Sequence, residues 1–248
     1  GRSSCGQILR TENHSLRWRI WLSLSLLSFC LAVAFGAMLA RQHMEEEKFE
    51  QSRNSLTHRD ELIKITLDAG WMFEAALNQT ESPQLRAIAW MAEKDNFFHD
   101  GIGNQETLKE RFAVASLYYA LGGPSWNRGG VNFLREGVST CEWAETSVDN
   151  RGQKFRMGVD CTCDNVEDIQ VCDHTRRSVK RIILSNMNLR GYIPLEIRLL
   201  SDLLELDLNH NKISDDFPVG VKELRMLRRL DLSHNALQGS IPSDISRL

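Results

Sequence analysis

The sequence predicts an α/β protein in which a solenoid of short parallel strands follows a helical, cysteine-rich segment and one membrane-spanning helix. Three observations predict this architecture. Apolar residues and prolines recur every 24 residues from residue 179 onward. Four cysteines lie shortly before the first repeat, and a run of 21 uncharged residues lies near the N-terminus.

The repeat is visible in three consecutive segments, 179–202, 203–226 and 227–248. A fixed period of this size predicts stacked coils, because one coil cannot bury its apolar face except against its neighbours. The equivalent positions are held by Val179, Leu203 and Leu227, by Ile182, Leu206 and Leu230, by Leu184, Leu208 and Leu232, and by Pro194, Pro218 and Pro242.

Within each coil, alternating apolar residues such as Ile182 and Leu184 predict a short strand with one buried face. The residues between them should face outward and line a concave surface of the kind that repeat proteins use for binding. Asn211 and Asn235 follow the second and third strands, where stacked Asn side chains can bond turn backbone, whereas the first coil has Met187 there. The predicted binding face consists of Arg181, Ile183, Ser185, Glu205, Asp207, Asn209, Arg229, Asp231 and Ser233.

The pattern LxxLxxLxLxxNxLxGxIP over residues 179–248 resembles the plant-type leucine-rich repeats of receptor-like kinases, receptor-like proteins and membrane-anchored diatom proteins. It departs from that pattern at Met187 and at Asp215, which stands where the other repeats have Gly191 and Gly239. Asp accepts left-handed backbone better than most residues, so a turn is still expected there. The resemblance implies a leucine-rich-repeat solenoid with a helical, disulfide-stapled N-terminal cap.

The cap is indicated by "ALGGPSW", "CEW" and "CTCD", which resemble the Trp- and Cys-containing cap of plant-type repeat proteins. Four cysteines on one side of the apolar run suit an oxidising compartment and allow three pairings. The resemblance favours the bridges Cys141–Cys161 and Cys163–Cys172. A zinc site formed by Cys161, Cys163, Cys172 and His174 is the alternative, and we favour disulfides because exported thiols oxidise.

The apolar run Ile20–Ala40 is about the ~20 residues that a membrane-spanning helix needs. A cleaved signal peptide is the alternative, although its apolar stretch usually has only about 7–15 residues. The four arginines before the run predict a cytoplasmic tail, residues 1–19, and a single-pass type II anchor with extracellular or luminal repeats. A charged stalk, residues 41–81, and the cap, residues 82–178, would follow.

Two helices are predicted in and before the cap. Ser82 and Pro83 have the residue types of an N-cap and a first turn, and a second helix over about 105–121 should end at Gly122. Asn78 begins the sequon Asn78-Gln79-Thr80 on the exported side, and we predict that it is glycosylated. The sequon at Asn13 should face the cytoplasm and stay unmodified.

No catalytic motif supports an enzyme, a cofactor site or a metal site. The sequence has no Gly-rich phosphate loop, no HExxH and no GxSxG. His210 and His234 share one repeat position, and ordinary surface variation explains them better than a metal pair or a pH sensor. Asp207 and Asp231 also share one position, but Asp is common there in the family that the repeats resemble, so we do not predict acid–base chemistry. A net charge of -3 gives no indication of nucleic-acid binding.

The predicted function is therefore non-catalytic. We expect a membrane-anchored leucine-rich repeat protein for recognition or adhesion, with a protein, peptide or glycan ligand on the concave face. The alternative is the sensor portion of a receptor-like serine/threonine kinase. Because the sequence starts at Gly1 and stops at Leu248, inside the third repeat, we expect the natural chain to continue.

Overall fold

The computed structural model describes residues 5–95, 104–127, 132–148, 152, 154–162 and 177–243. The chain divides into two compact units, Gly1–Ser55 and Leu56–Leu248. In its described part, the first unit is a portion of one long helix, α1 (Cys5–Asp68).

The predicted membrane span, Ile20–Ala40, lies within α1. The side chains of residues 20–32 and 34 lie outside the described residues. Where the structure is described, no helix combines the length and the apolar character that crossing a membrane requires.

The second unit begins inside α1 and includes the end of the segment predicted as a stalk. Leu62, Trp71 and Met72 are buried in its hydrophobic core. The Thr66 hydroxyl is also buried, and it donates to the backbone carbonyls of Leu62 and Ile63 at 2.9 Å each. The compact unit thus starts at Leu56, well before residue 82, because apolar side chains near the end of α1 supply part of its core.

Two further α-helices follow α1 in the described part of the second unit. Helix α2 (Pro83–Glu93) begins after Ser82, whose side chain accepts a hydrogen bond from the Leu85 amide, as an N-cap does. Helix α3 (Gln105–Ala120) begins after Asn104, which caps it through the Thr107 amide. It ends one residue short of the predicted boundary, and Gly122 follows in the left-handed conformation at φ 70°. Ile88 of α2 and Phe112 of α3 are fully enclosed in the core. Every residue from Glu110 to Leu117 is buried, so α3 is enclosed on all sides over this stretch.

A buried ion pair joins the loop after α2 to α3. The Arg111 guanidinium makes two hydrogen bonds to the Asp95 carboxylate, and both side chains are inaccessible to solvent. Arg111 also donates to the backbone carbonyl of Val138 at 2.8 Å, and its guanidinium lies 4.4 Å from the centre of the Trp143 ring. Burial lowers the pKa of Arg111, and its hydrogen bond and charge attraction to Asp95 oppose that effect.

In the described residues, eight strands form two sheets, and each repeat contributes one short strand to the first sheet. That sheet has the order β1-β2-β3-β5-β7, with an antiparallel hairpin at one edge, and the second has the order β4-β6-β8. The strands are β1 (Ala144–Val148), β2 (Lys154–Asp160), β3 (Arg181–Ile183), β4 (Arg190–Gly191), β5 (Glu205–Asp207), β6 (Lys212–Asp216), β7 (Arg229–Asp231) and β8 (Ala236–Gln238).

Parallel pairing of β3, β5 and β7 follows the 24-residue period of the sequence. Ile182 pairs with Leu206, and Leu206 pairs with Leu230, so equivalent repeat positions are adjacent in the sheet. Short 3₁₀ helices follow Pro194 and Pro218 on the return path of the first two repeats. The described residues thus form a leucine-rich-repeat-like fold of helices and parallel strands.

The two repeat asparagines bond the backbone of neighbouring coils. The Asn211 side-chain oxygen accepts hydrogen bonds from the amides of Met187 and Leu189, at 2.9 and 3.0 Å, and its amide group donates to the Leu184 carbonyl at 2.8 Å. Asn235 repeats part of this pattern by accepting from the Ile213 amide. Asn211 therefore bonds the backbone at Met187 and Leu189. The Met187 side chain has no group that could form these hydrogen bonds itself.

Gly191 allows the first repeat to pack closely against α3. The amide of Tyr192 donates to the carbonyl of Ala120, the last residue of α3, and the amide of Arg190 donates to the carbonyl of the next residue, Leu121. Gly191 has φ 106°, and a Cβ atom there would lie 2.2 Å from the Ala120 carbonyl oxygen. Asp215 holds the equivalent place in the second repeat, and its φ of 121° is positive without glycine. It lies within β6 rather than in the turn that the sequence predicted.

Glu196 connects the first repeat to α2 and makes stability depend on pH. Its carboxylate is 3% exposed and accepts a hydrogen bond from the Gln84 side chain at 2.9 Å. Burial raises the pKa of Glu196 above its ordinary value of 4.5, and the Gln84 hydrogen bond opposes that rise.

We expect this raised pKa to make the protein less stable as pH increases. Between the ordinary and the raised pKa the unfolded chain has lost this proton while the folded chain keeps it, so the free energy of unfolding falls with pH. Glu196→Gln cannot ionise and should show a smaller fall between about pH 4 and 7 in urea unfolding. A fall as large as that of the wild type would contradict this assignment.

Candidate recognition face

The candidate recognition face is the outward side of β3, β5 and β7 together with the second residue after each strand. Leu206 and Leu208 are fully buried, whereas Glu205, which precedes Leu206 on β5, is only partly buried. Leu230 and Leu232 are partly buried and pack against the same core. The structure places six of the nine predicted face residues on these three strands, and the other three each lie two residues after a strand ends.

A row of alternating charge crosses this face, and it is longer than the sequence indicated. Arg181, Glu205 and Arg229 are adjacent in register, and Asp160 of β2 extends the row beyond Arg181. Arg181 donates to the Asp160 carboxylate, and an Arg229 nitrogen lies 3.2 Å from a Glu205 oxygen. Neighbouring members of the row therefore neutralise one another.

Sequence reasoning missed Asp160 because β2 does not belong to a repeat. Asp160 is 1% exposed and stands next to Cys161. Its carboxylate also lies 3.7 Å from the Arg156 guanidinium. The alternation of Phe155, Met157 and Val159 with polar residues is the one sequence signal that could have indicated this strand.

A second row brings two carboxylates together. Asp207 pairs in register with Asp231, and the Asn209 side-chain amide donates to both, at 2.5 and 3.4 Å. Asp207 was predicted to point outward, yet it is only 8% exposed, because the neighbouring coils and Asn209 enclose it. Ser233 donates through its hydroxyl and its amide to Asp231.

The two carboxylates differ in proton affinity. Burial raises the pKa of Asp207, and the nearby Asp231 charge adds to that rise, although bonds from Asn209 oppose it. Hydrogen bonds from Ser233 lower the pKa of Asp231. The row thus presents acceptor oxygens suited to amide, ammonium or guanidinium donors of a ligand.

His210 and His234 stack on each other beside this row. Their ring centres are 4.0 Å apart, and a His210 ring nitrogen lies 2.7 Å from the Asn209 side-chain oxygen. Both residues have φ 54°, so the stacking follows from the same left-handed turn in successive coils. Across the described residues, no group of three or more His, Cys, Asp or Glu side chains is arranged to hold a metal ion.

Cys141 and Cys161 form a disulfide that joins the loop before β1 to the end of β2. This bond leaves Cys161 without a thiolate for the alternative zinc site. Cys163, Cys172 and His174 lie outside the described residues, so the second predicted bridge stays a prediction. Asn78, the predicted glycosylation site, ends a short 3₁₀ helix and is exposed.

Removal of this disulfide should destabilise the second unit. The bridge closes a loop with a sequence separation of 20, and bridges of that size typically contribute about 2–4 kcal/mol by restricting the unfolded chain. We expect Cys141→Ala/Cys161→Ala to lower the free energy of unfolding by that amount in urea titrations without reductant. Equal stability of this variant and the unreduced wild type would contradict the expectation.

The third repeat matches a known family of repeat sequences. Residues 226–248 match the family model described as Leucine Rich Repeat. The chain therefore carries leucine-rich repeat sequence in the segment that includes β7 and β8. A search of curated proteins gives no match.

Two solved structures are similar to parts of this chain. The LRR ectodomain of the receptor kinase SOBIR1 from Arabidopsis thaliana is 27% identical over 58% of this chain and 64% of that chain, with a TM-score of 0.34. The plant peptide hormone receptor RGFR1, in complex with RGF2, is 32% identical over 27% of this chain and 11% of that chain, with a TM-score of 0.27. The chain thus spans less than two thirds of either structure.

Proposed function

We propose that this chain is a membrane-anchored, exported recognition protein that binds a peptide or protein segment on its candidate recognition face. The row formed by Asp207, Asn209 and Asp231 carries this proposal, because it gathers acceptor oxygens from two successive coils on one side of a rigid sheet. Binding through this row requires only hydrogen bonds and ion pairs between a ligand and these oxygens.

The chemistry of the face favours a ligand with hydrogen-bond donors. Asp231 is partly exposed and has a lowered pKa, so it stays ionised at neutral pH. The charge row beside it is already paired through Arg229–Glu205 and Arg181–Asp160. An incoming Lys, Arg or backbone amide would therefore find its acceptors at the carboxylate row and little excess charge next to it.

Export and anchoring rest on the N-terminal segment and the disulfide. The uncharged run Ile20–Ala40 follows four arginines, and its described large apolar side chains are exposed, for example Phe35 at 63% and Met38 at 66%. Exposed apolar side chains on a helix favour burial in lipid. The Cys141–Cys161 bridge suits the oxidising compartment that export implies.

The binding part of this proposal can be tested with two matched double variants. Peptides selected by display against the unreduced full chain would be titrated against Asp207→Asn/Asp231→Asn. The control is Asp216→Asn/Glu223→Gln, which removes the same charge from exposed positions in or after β6, outside the first sheet. We expect roughly tenfold or greater loss of affinity in the first variant only. Equal losses in both would overturn the assignment of the face.

A further inference from the structure

A cavity of about 780 Å³ lies between the end of α1 and the two cap helices, and the function proposed for the repeats does not use it. Its volume falls within the range of about 300–1,000 Å³ that small-molecule sites occupy. Helix α2 contributes Arg86 and Glu93 to the lining, and α3 contributes the adjacent pair Tyr118 and Tyr119.

The cavity collects charged groups of both signs. Three cations, Arg59, Arg86 and Lys94, and two carboxylates, Glu81 and Glu93, line it. In the described part of the chain, none of these five side chains forms a hydrogen bond or an ion pair with protein. Arg86 makes a different contact, with its guanidinium 4.5 Å from the centre of the Tyr119 ring.

Two tyrosine hydroxyls add neutral donors and acceptors. Tyr118 and Tyr119 are partly buried, and burial raises the pKa of both, so their hydroxyls keep their protons at neutral pH. Among the described residues, neither hydroxyl bonds to a protein group. Each can therefore both donate to and accept from a ligand.

The cations are hydrogen-bond donors and the carboxylates are acceptors. A hydroxyl group both donates and accepts, so a ligand with many hydroxyl groups can bond to both sets. Tyrosine rings also offer an apolar surface next to a polar hydroxyl, which matches the two kinds of surface on a sugar ring. We propose that the cavity binds a neutral saccharide.

The sequence suggests one source of this saccharide within the chain itself. Thr80 lines the cavity and is the third residue of the sequon that begins at Asn78. An N-linked glycan on Asn78 would start with N-acetylglucosamine only two residues from the lining. A free saccharide with the same chemistry is the other source. The first source rests on the exported location proposed above, whereas saccharide binding by the cavity does not.

Calorimetric titration with N,N′-diacetylchitobiose separates these cases. The full chain carrying its Asn78 glycan would be compared with Asn78→Gln. If the attached glycan fills the cavity, only Asn78→Gln should bind the probe. If a free saccharide is the occupant, both proteins should bind it equally. Failure of both to bind would overturn the proposal, and this result would leave the repeat face and the topology untouched.

Variants of residues that line the cavity test whether the probe binds there. In the Asn78→Gln background, Tyr119→Phe removes one hydroxyl, and Glu93→Gln removes one carboxylate. Each should weaken probe binding by at least about threefold, the effect of one lost hydrogen bond. Tyr192→Phe is the matched control, because Tyr192 is an exposed tyrosine of the repeats and does not line the cavity. Probe binding that Tyr119→Phe and Tyr192→Phe change equally would overturn the proposal.

Discussion

Arg111→Met should lower the free energy of unfolding by about 3–5 kcal/mol, the largest effect that we expect from a single substitution in this chain. Arg111 is completely buried, and its partner Asp95 is 1% exposed. Loss of the guanidinium would remove two hydrogen bonds and one positive charge from a buried carboxylate. The Val138 carbonyl would lose a donor at the same time.

Two further variants separate the ion pair from the packing of α3. Lys109→Met changes a cation on the same helix whose partner, Glu106, is half-exposed, and it should cost less than about 1 kcal/mol. Asp95→Leu/Arg111→Met removes both charges and should recover part of the loss. Chemical denaturation of the three variants measures these differences. A loss for Arg111→Met no larger than that for Lys109→Met would contradict the role of the pair.

Leu206→Ala should destabilise the protein by about 2–5 kcal/mol, because a fully buried leucine would leave a cavity between coils. Leu206 lies between Ile182 and Leu230 in the sheet, so its side chain contributes to the packing of two neighbouring coils. Urea unfolding monitored by circular dichroism would measure the loss.

Leu230→Ala is the matched control, because it makes the same change at the equivalent position of the next repeat. Leu230 is only partly buried in this 248-residue chain, and a smaller loss is expected. Ser185→Ala, on the outward side, should change stability by no more than about 0.5 kcal/mol. If Ser185→Ala cost as much as Leu206→Ala, the inward and outward sides of the strands would be assigned the wrong way round.

Much of the repeat structure could be predicted because its contacts recur at one sequence distance. The pairing of Ile182, Leu206 and Leu230 follows directly from the 24-residue period, and the role of Asn211 follows from its position after the strand. The boundaries of α2 and α3 were also close to the prediction, because Ser82 and Gly122 have the residue types that begin and end helices.

The cap could not be predicted to the same depth because its contacts do not repeat. Nothing in the sequence around Arg111 indicates that Asp95 is its partner, and the distance between Asp160 and Arg181 along the chain carries no period. The burial of Asp207 likewise depends on which residues of the neighbouring coils lie beside it. Pattern arguments assign the faces of a strand, but the burial of a polar side chain depends on packing between distant segments.

The central claim is that an N-terminal anchor exports the repeats. A measurement of the topology of the full chain tests this claim most directly. The chain has one sequon on each side of Ile20–Ala40, at Asn13 and at Asn78. Expression in eukaryotic cells, followed by glycosidase treatment and a gel mobility assay of Asn13→Gln and Asn78→Gln, reports which side is exported. We predict one glycan that is lost in Asn78→Gln and kept in Asn13→Gln. A glycan on Asn13 with none on Asn78 would reverse the orientation and contradict the exported recognition role.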